Sequence, residues 1–234
     1  DEPEFFVAPE WMERVYREIK RLDPYHLVTI NNCRGARSML TYARASDMVG
    51  LDYYPAGKWP AGTVGPLTDE VVHFAGYKPV KMWVQGYKIH NPKAPTPDEL
   101  KMMTYSMLAR GASALFYFIG RPKPALWNAQ GQCAREIRSL TDAVAAEHRE
   151  RLVVGPADSG VYASFRSGPK GWWIIAVNEG ATAVKATIEL PSSAGEGSAD
   201  VLFESRQAPI EGGKISDSFA PFQRHVYHAA RHSK

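Results

Sequence analysis

Carboxylates are the side chains whose type and position could support chemistry in this chain. Asp1, Glu2 and Glu4 open the sequence, and Asp52 lies near the end of the strand-like run 47–55. Two carboxyl groups that face each other across a bond can act as proton donor and as base or nucleophile, which is what hydrolysis of a glycosidic bond requires. Two alternatives stay open, because acidic residues at a chain end are commonly solvated and an aspartate after a strand can cap a loop. We take Glu2 and Asp52 as the candidate catalytic residues.

Amide and aromatic side chains gather at the ends of the predicted strands. The stretch 78–87 alternates between two faces before Gly86 breaks it, so we interpret it as a buried strand followed by a loop. Aromatic faces beside a few fixed polar groups suit sugar rings. Core packing of the rings, a turn shaped by the asparagine and a glutamine bonded to loop backbone are the competing interpretations. The residues predicted to contact a sugar are Asp1, Asn31, Tyr53, Tyr54, Trp59, Trp83, Gln85, Tyr87 and Tyr117.

Alternating strand and helix patterns position these side chains. Each strand-like run is followed by a helical pattern, and this alternation predicts right-handed crossovers and a parallel sheet. Side chains at the carboxyl ends of such strands face the ligand crevice. The predicted strands are 26–30, 47–55, 78–87 and 114–119, and the predicted helices include 9–22 at the start and 132–151 at the end.

The chain changes character near 153–156. Beyond this point we find no helical periodicity, and short strand-like runs are separated by Gly, Pro, Asn and Ser. That pattern is typical of a small antiparallel sandwich. We therefore predict an α/β fold in two domains, with parallel βα units over 1–153 and a β-sandwich over 154–234.

The order and spacing of several motifs resemble one group of enzymes. An Asp-Glu-Pro start is followed by Leu-Asp-Pro-Tyr-His, Leu-Asp-Tyr-Tyr-Pro, Lys-Pro-Val-Lys-Met-Trp-Val-Gln-Gly-Tyr, Thr-Pro-Asp-Glu-Leu and Ala-Arg-Gly-Ala-Ser-Ala-Leu-Phe-Tyr-Phe. The chain resembles the C-terminal half of TIM-barrel glycoside hydrolases of the large retaining clan, together with the β-sandwich that often follows the barrel. It is similar to secreted bacterial glycosidase-like proteins. The resemblance implies half of a (β/α)8 barrel, a poly- or oligosaccharide substrate, no cofactor, and a secreted or periplasmic location.

The resemblance also assigns roles to individual residues. Glu2 matches the acid/base glutamate at the end of the fourth barrel strand, Asp1 stands where asparagine is usual, and Tyr53 or Tyr54 matches a tyrosine that supports the nucleophile. Gln85 occupies the place of the nucleophile, and an amide cannot attack an anomeric carbon at neutral pH. A non-catalytic carbohydrate-binding protein on a degenerate barrel is therefore the alternative to a glycoside hydrolase.

The first three or four strands of such a barrel have no counterpart in this sequence. Four parallel strands with helices on one side leave two open edges and an uncovered inner face, and such surfaces pair with other chains or aggregate. We expect a homo-oligomer or a missing N-terminal half to complete the barrel, and a fragment that needs this second half for activity is a third interpretation. The residues expected to lie partly bare include Val28, Ile30, Val49, Val80, Val84 and Leu115.

Composition argues against several other functions. The net charge is +3 and the basic residues form no stripe, so nucleic-acid binding is not predicted. The sequence has no apolar run long enough to span a bilayer, so no membrane partner is predicted. Cys33 and Cys133 form no CxxC pair, and the histidines lack zinc-ligand spacing. We predict no metal site.

Overall fold

The computed structural model describes residues 1–146 and 148–230. The first part contains strands β1 (Thr29–Asn32), β2 (Met48–Asp52), β3 (Val80–Gln85) and β4 (Ala114–Phe118), and helices α1 (Pro9–Leu22), α2 (Ser38–Tyr42), α3 (Val64–Ala75), α4 (Pro97–Arg110), α5 (Pro124–Ser139) and α6 (Thr141–Val144). The four strands form one parallel sheet in the order β1-β2-β3-β4. Within the described ranges, no helix is both long and apolar enough to cross a membrane.

The second part is antiparallel. It contains β5 (His148–Arg151), β6 (Val154–Gly155), β7 (Val161–Gly168), β8 (Gly171–Asn178), β9 (Val184–Glu189), β10 (Gly197–Val201), β11 (Arg206–Ile210), β12 (Lys214–Phe219) and β13 (Arg224–Ala230). One sheet has the order β11-β10-β13-β8-β7-β5 and the other has the order β12-β9-β6. The predicted fold class, parallel βα units followed by an antiparallel β-sandwich, is confirmed.

Helix α4 illustrates how the sequence sets an element. The Thr96 hydroxyl accepts a hydrogen bond from the Glu99 N–H at 3.2 Å, and the Glu99 carboxylate accepts one from the Thr96 N–H at 2.7 Å. Pro97 fills the first turn, and Gly111 ends the helix with a φ of 109°, which glycine adopts without steric cost. The helix packs against β3 and β4 on one side and against β8 on another, so it joins the two parts of the molecule.

The last helical segment differs from its prediction. The pattern at 132–151 predicts one long helix, whereas α5 already begins at Pro124, a residue suited to a first helical turn. The helix ends where Leu140 leaves helical geometry, with φ −94° and ψ 20°. Strand β5 then pairs with β7, so the six-stranded sheet includes residues that precede Val154. The domain boundary after Val153 stays a prediction.

Alternation along the parallel strands decides which side chains are covered. Ile30, Val49, Val80 and Val84 were expected to lie partly bare, but all four are buried on the helix-facing side of the sheet. Val28 and Leu115 are half-buried. The expectation assigned the wrong face, because successive residues of a strand point to opposite sides.

The bare part of the inner face lies on β4, among the residues of opposite parity. Phe116 is 44% exposed and Phe118 is 39% exposed, and both lie on β4. Ile119 follows them at 41% exposed. Phe116 and Phe118 are the large apolar side chains of this face that further strands would bury.

Two charged clusters join the helices of the first part to the sandwich. Arg224 on β13 donates to both carboxylate oxygens of Glu136 on α5 at 2.8 Å, and the Tyr105 hydroxyl donates to the same carboxylate at 2.7 Å. Arg110 on α4 donates to Glu179 at 2.8 Å. The side chains of both arginines are largely buried. The two parts therefore share ion pairs that are withdrawn from water.

Candidate functional site

A crevice of about 790 Å³ lies at the carboxyl ends of the parallel strands. It combines the N-terminal turn, the strand ends and the loop that follows β3. Of the site residues predicted from sequence, only Gln85, Tyr87 and Tyr117 are absent from its lining. The lining residues are Asp1, Glu2, Asn31, Cys33, Asp52, Tyr53, Tyr54, Trp59, Trp83, Ile89, His90, Asn91 and Phe118.

The first residues of the chain are held against β1. The Glu2 N–H donates to the Asn31 carbonyl oxygen at 2.9 Å, and Glu2 adopts left-handed backbone geometry with φ 45° and ψ 52°. The Glu4 carboxylate accepts hydrogen bonds from the Cys33 N–H at 2.8 Å and from the Ser38 hydroxyl at 3.2 Å. These bonds tie the N-terminal turn to the end of β1, so Glu2 is a fixed part of the crevice wall and not a solvated chain end.

The carboxylates of Glu2 and Asp52 approach each other within the crevice. One oxygen of each lies within 4.8 Å of the other and of the Cys33 Sγ. Burial raises the pKa of Asp52 to about 6, and the negative charge of Glu2 adds to the rise, while hydrogen bonds from Tyr54 and Asn31 oppose it. Asp52 therefore keeps its proton to a higher pH than an exposed aspartate does.

The Cys33 thiol lies beside the same carboxylates. Burial raises the pKa of Cys33 to about 12, and the nearby carboxylates of Glu2, Glu4 and Asp52 add to the rise. The thiolate is the nucleophilic form of cysteine. A thiol held protonated in this way is not an activated nucleophile.

Aromatic rings form the walls of the crevice. Trp59 is 49% exposed, and its ring stacks on that of Tyr53 with centroids 6.1 Å apart and planes inclined by 20°. Tyr54 stacks on Phe118 at 5.3 Å, and Trp83 meets the same phenylalanine edge-on at 6.1 Å. Flat aromatic faces beside polar groups can hold the apolar face of a sugar ring.

Gln85 serves the backbone of a loop and does not line the crevice. Its side chain is 0% exposed. The Gln85 Oε1 accepts from the Ala56 N–H at 2.9 Å, and its Nε2 donates to the carbonyl oxygens of Ala56 and Tyr87, each at 3.2 Å. The loop after β2 covers the end of β3, and its backbone groups need partners that an amide supplies. The expected convergence of Gln85 with Glu2 and Asp52 is therefore not found.

Tyr117 and Tyr87 also lie outside the crevice lining. Tyr117 points to the helix side of β4, where its hydroxyl lies 3.1 Å from the Thr104 hydroxyl on α4. The two-residue period of a strand places it opposite to its neighbour Phe118. The Tyr87 ring packs against Phe118 at 5.6 Å between centroids. Tyr87 therefore supports the aromatic wall from outside the lining.

Sequence reasoning missed five lining residues, which are Cys33, Ile89, His90, Asn91 and Phe118. Cys33 and Phe118 could have been found, because each lies at a strand end. The other three belong to the loop after β3, where no sequence period marks a contact. Asn91 fixes this loop by donating to the carbonyl oxygens of Tyr54 at 2.7 Å and Ala56 at 2.9 Å.

Comparison with known proteins gives a structural likeness only. No family model matches the sequence, and no curated protein matches it. An α-amylase from Geobacillus thermoleovorans complexed with acarbose has a TM-score of 0.66 and 10% identity, covering 97% of this chain and 58% of that one. An α-amylase from Anoxybacillus has a TM-score of 0.63 and 13% identity, with coverage of 97% and 57%. AmyP in complex with maltose has a TM-score of 0.63 and 10% identity, with coverage of 95% and 62%.

These likenesses identify the class of fold. The chain has parallel βα units followed by a β-sandwich, as the motif order predicted, and it shares this fold with the three solved structures named above. The chain spans 57–62% of the length of these three structures. At 10–13% identity the likeness extends to the fold and not to the role of any residue.

Proposed function

We propose that this protein hydrolyses glycosidic bonds of a poly- or oligosaccharide, with Glu2 as general acid/base and Asp52 as the second carboxylate. The observation that supports this most strongly is the approach of the two carboxylates to within 4.8 Å inside a crevice. The exposed Trp59 and its partner Tyr53 supply a platform for a sugar ring beside this pair.

The separation of the carboxylates favours a retaining mechanism. Retaining pairs lie about 5 Å apart, whereas inverting pairs lie roughly 6.5–9.5 Å apart to admit a water molecule. In this mechanism Glu2 gives its proton to the glycosidic oxygen while an Asp52 oxygen bonds to the anomeric carbon and the bond to the leaving group breaks. Glu2 then takes a proton from water, which attacks the same carbon and releases Asp52. Asp52 thereby acts as the nucleophile, a role that the amide of Gln85 cannot fill.

The proposed reaction depends on pH through Asp52. The productive form carries one proton, on Glu2, with Asp52 ionised. Because the pKa of Asp52 is raised to about 6, we expect kcat/KM to rise from acid pH toward about 6 and to fall at higher pH once the pair has lost both protons. Tyr54→Phe removes a hydrogen bond that lowers this pKa and is expected to move the acid limb to higher pH. Tyr53→Phe is the matched control, because the Tyr53 hydroxyl lies 3.1 Å from Thr63 instead. If kcat/KM rose at the same pH in Tyr54→Phe and Tyr53→Phe, Asp52 would not be the group that controls the acid side of the profile.

The neighbouring structures guide the choice of substrates. AmyP is described in complex with maltose and the Geobacillus thermoleovorans enzyme with acarbose, so maltooligosaccharides are the first compounds to test. A panel of aryl glycosides and a glycan array, applied to one sample, separates hydrolysis from binding. Release of aryl alcohol or shortened oligosaccharide supports the proposal, and no turnover on any substrate contradicts it.

A non-catalytic carbohydrate-binding protein is the second candidate. The exposed stacked pair of Trp59 and Tyr53 favours it, because such a platform can bind a sugar with no help from a carboxylate. Glycan binding without turnover, unchanged in Glu2→Gln and lost in Trp59→Ala, is the result that would select this function.

The bare inner face supports a proposal about assembly. Phe116, Phe118 and the open edges of β1 and β4 need a cover, which we propose is a second copy of this chain or an N-terminal half of the barrel. We expect the 234-residue chain to form a dimer, measured as mass by light scattering at low concentration. A stable, cooperatively folding monomer that has no partner would refute the proposed cover.

A further inference from the structure

Three potential metal ligands from separate segments converge in the crevice. The Glu2 carboxylate belongs to the N-terminal turn, the Cys33 thiol follows β1, and the Asp52 carboxylate ends β2. One ligand atom from each lies within 4.8 Å of the other two. This convergence brings together a sulfur and two oxygen donors, although neither cysteine has the sequence spacing of a metal site.

Asn31, which lines the same crevice, has a side-chain oxygen without a partner in the ranges that the structure describes. Asn31 is 7% exposed and lines the crevice, and its Oδ1 is buried with no hydrogen-bond donor among the described residues. Its Nδ2 is already used by the Asp1 carboxylate, at 3.2 Å. The Asp52 Oδ1 is likewise buried and without a donor in the described part of the chain. Buried oxygens without donors are costly, and a cation bound by Asp52 would give its carboxylate a partner.

The charge of the cluster also favours a cation. Glu2, Glu4 and Asp52 place three carboxylates around one thiol, and no salt bridge found within 1–146 and 148–230 includes any of them. Lys81 lies on the inner face of β3 near Asp52, but it forms no ion pair with that residue in the described ranges. A divalent ion would offset two of these negative charges.

We propose that Glu2, Cys33 and Asp52 bind a divalent transition-metal ion of the zinc class, with water in the fourth position. Thiolate sulfur selects such ions over magnesium or calcium, and zinc accepts mixed sulfur and carboxylate ligands in a tetrahedron. Tetrahedral ligands at about 2.0–2.3 Å from the metal lie roughly 3.5 Å from one another. The three ligand atoms now lie within 4.8 Å of one another, and rotation of the long Glu2 side chain would bring its carboxylate to the shorter distance. The Cys33 thiol loses its proton to solvent as the sulfur bonds to the metal.

Metal binding would occupy the carboxylates that the proposed hydrolysis uses. A carboxylate that coordinates the ion cannot act as proton donor or as nucleophile. We therefore expect the metal-bound protein to be inactive, and we expect removal of the metal by a chelator to restore hydrolysis. This inference does not rest on the hydrolytic proposal, since binding is measured without any sugar.

Cobalt(II) titration of chelator-treated protein tests the site directly. We expect one equivalent to bind with the visible absorption of tetrahedral cobalt and a thiolate-to-metal charge-transfer band in the ultraviolet. Cys33→Ser is expected to lose the charge-transfer band and to weaken binding by more than about 100-fold, beyond the 10–100-fold that outer-shell changes cost. Asp52→Asn is expected to weaken binding to a similar extent.

Cys133→Ala is the matched control, because Cys133 is buried beside Tyr117 and does not line the crevice. It is expected to keep both the affinity and the charge-transfer band. Should Cys33→Ser fail to fold, zinc must instead slow alkylation of Cys33 in the Cys133→Ala protein. Absence of cobalt binding, a charge-transfer band that persists in Cys33→Ser, or alkylation unaffected by zinc would overturn the proposed site.

Discussion

Glu2→Gln is expected to lower kcat/KM for oligosaccharide hydrolysis by about 10²–10⁴-fold, the usual contribution of a general acid. Glutamine keeps the size of the side chain, and the bond from the Glu2 N–H to the Asn31 carbonyl oxygen does not involve the carboxyl group. The substitution therefore removes a proton donor and leaves the anchor of the N-terminal turn. The measurement is steady-state hydrolysis of a substrate identified in the panel, with the full gene product.

The size of this loss is expected to depend on the leaving group. An aryl glycoside with an acidic phenol leaves without protonation, so its first step is expected to be less affected than that of an unactivated oligosaccharide. Glu10→Gln is the matched control, because Glu10 is an exposed glutamate on α1 and its neutralisation is expected to leave kcat/KM unchanged. Full activity of Glu2→Gln, or the same loss for both kinds of leaving group, would contradict the role of Glu2 as proton donor.

Arg224→Met is expected to lower the free energy of unfolding by about 3–5 kcal/mol, the cost of leaving a buried charge without its partner. The side chains of Arg224 and Glu136 are 13% and 9% exposed, and both oxygens of the carboxylate accept from the guanidinium at 2.8 Å. Methionine fills a similar volume but cannot donate, so Glu136 keeps only the bonds from Tyr105 at 2.7 Å and Gln132 at 2.8 Å. Chemical denaturation at neutral pH measures the change.

The stabilisation by this ion pair has a defined pH dependence. Burial alone would raise the pKa of Glu136, but hydrogen bonds from Arg224 and Tyr105 outweigh it and hold the pKa below its ordinary range. A group with a lowered folded-state pKa contributes stability above its unfolded-state pKa, about 4.3 for glutamate, and loses it as the pH falls through the lower folded-state value. The difference between wild type and Arg224→Met is therefore expected to shrink in acid.

Lys170→Met provides the control for this stability prediction. Lys170 and Asp142 also join the two parts of the molecule, with nitrogen and oxygen 2.8 Å apart, but their side chains are 71% and 48% exposed. An exposed pair typically contributes about 0–1 kcal/mol. Equal effects of Lys170→Met and Arg224→Met would show that burial of the Glu136 carboxylate does not set the cost.

Motif order and strand-end positions predict most of the fold and much of the crevice. The parallel strands and the sandwich follow from hydrophobic alternation, and Asp52, Tyr54 and Trp83 could be placed because they end or follow strands. The same rule fails for Gln85, since a strand end can also satisfy the backbone of a loop that folds over it. A sequence pattern does not reveal which of these two uses a side chain has.

Other features depend on contacts between distant segments. The pairing of β5 with β7 replaces the end of a predicted helix, because tertiary pairing overrides the local periodicity at 148–151. The approach of Cys33 to Glu2 and Asp52 joins residues that share no motif. Such a cluster emerges only when the N-terminal turn is brought against the ends of two neighbouring strands.

Proton NMR of the first-formed sugar product tests the proposed carboxylate pair most directly. The full gene product, with the substrate found in the panel, is expected to release a reducing end whose first-formed anomer has the configuration of the substrate, because Glu2 and Asp52 lie within 4.8 Å. Glu2→Gln and Asp52→Asn are expected to release this product much more slowly than the unchanged protein. Product of inverted configuration, or undiminished release by either variant, would contradict a retaining site built on Glu2 and Asp52.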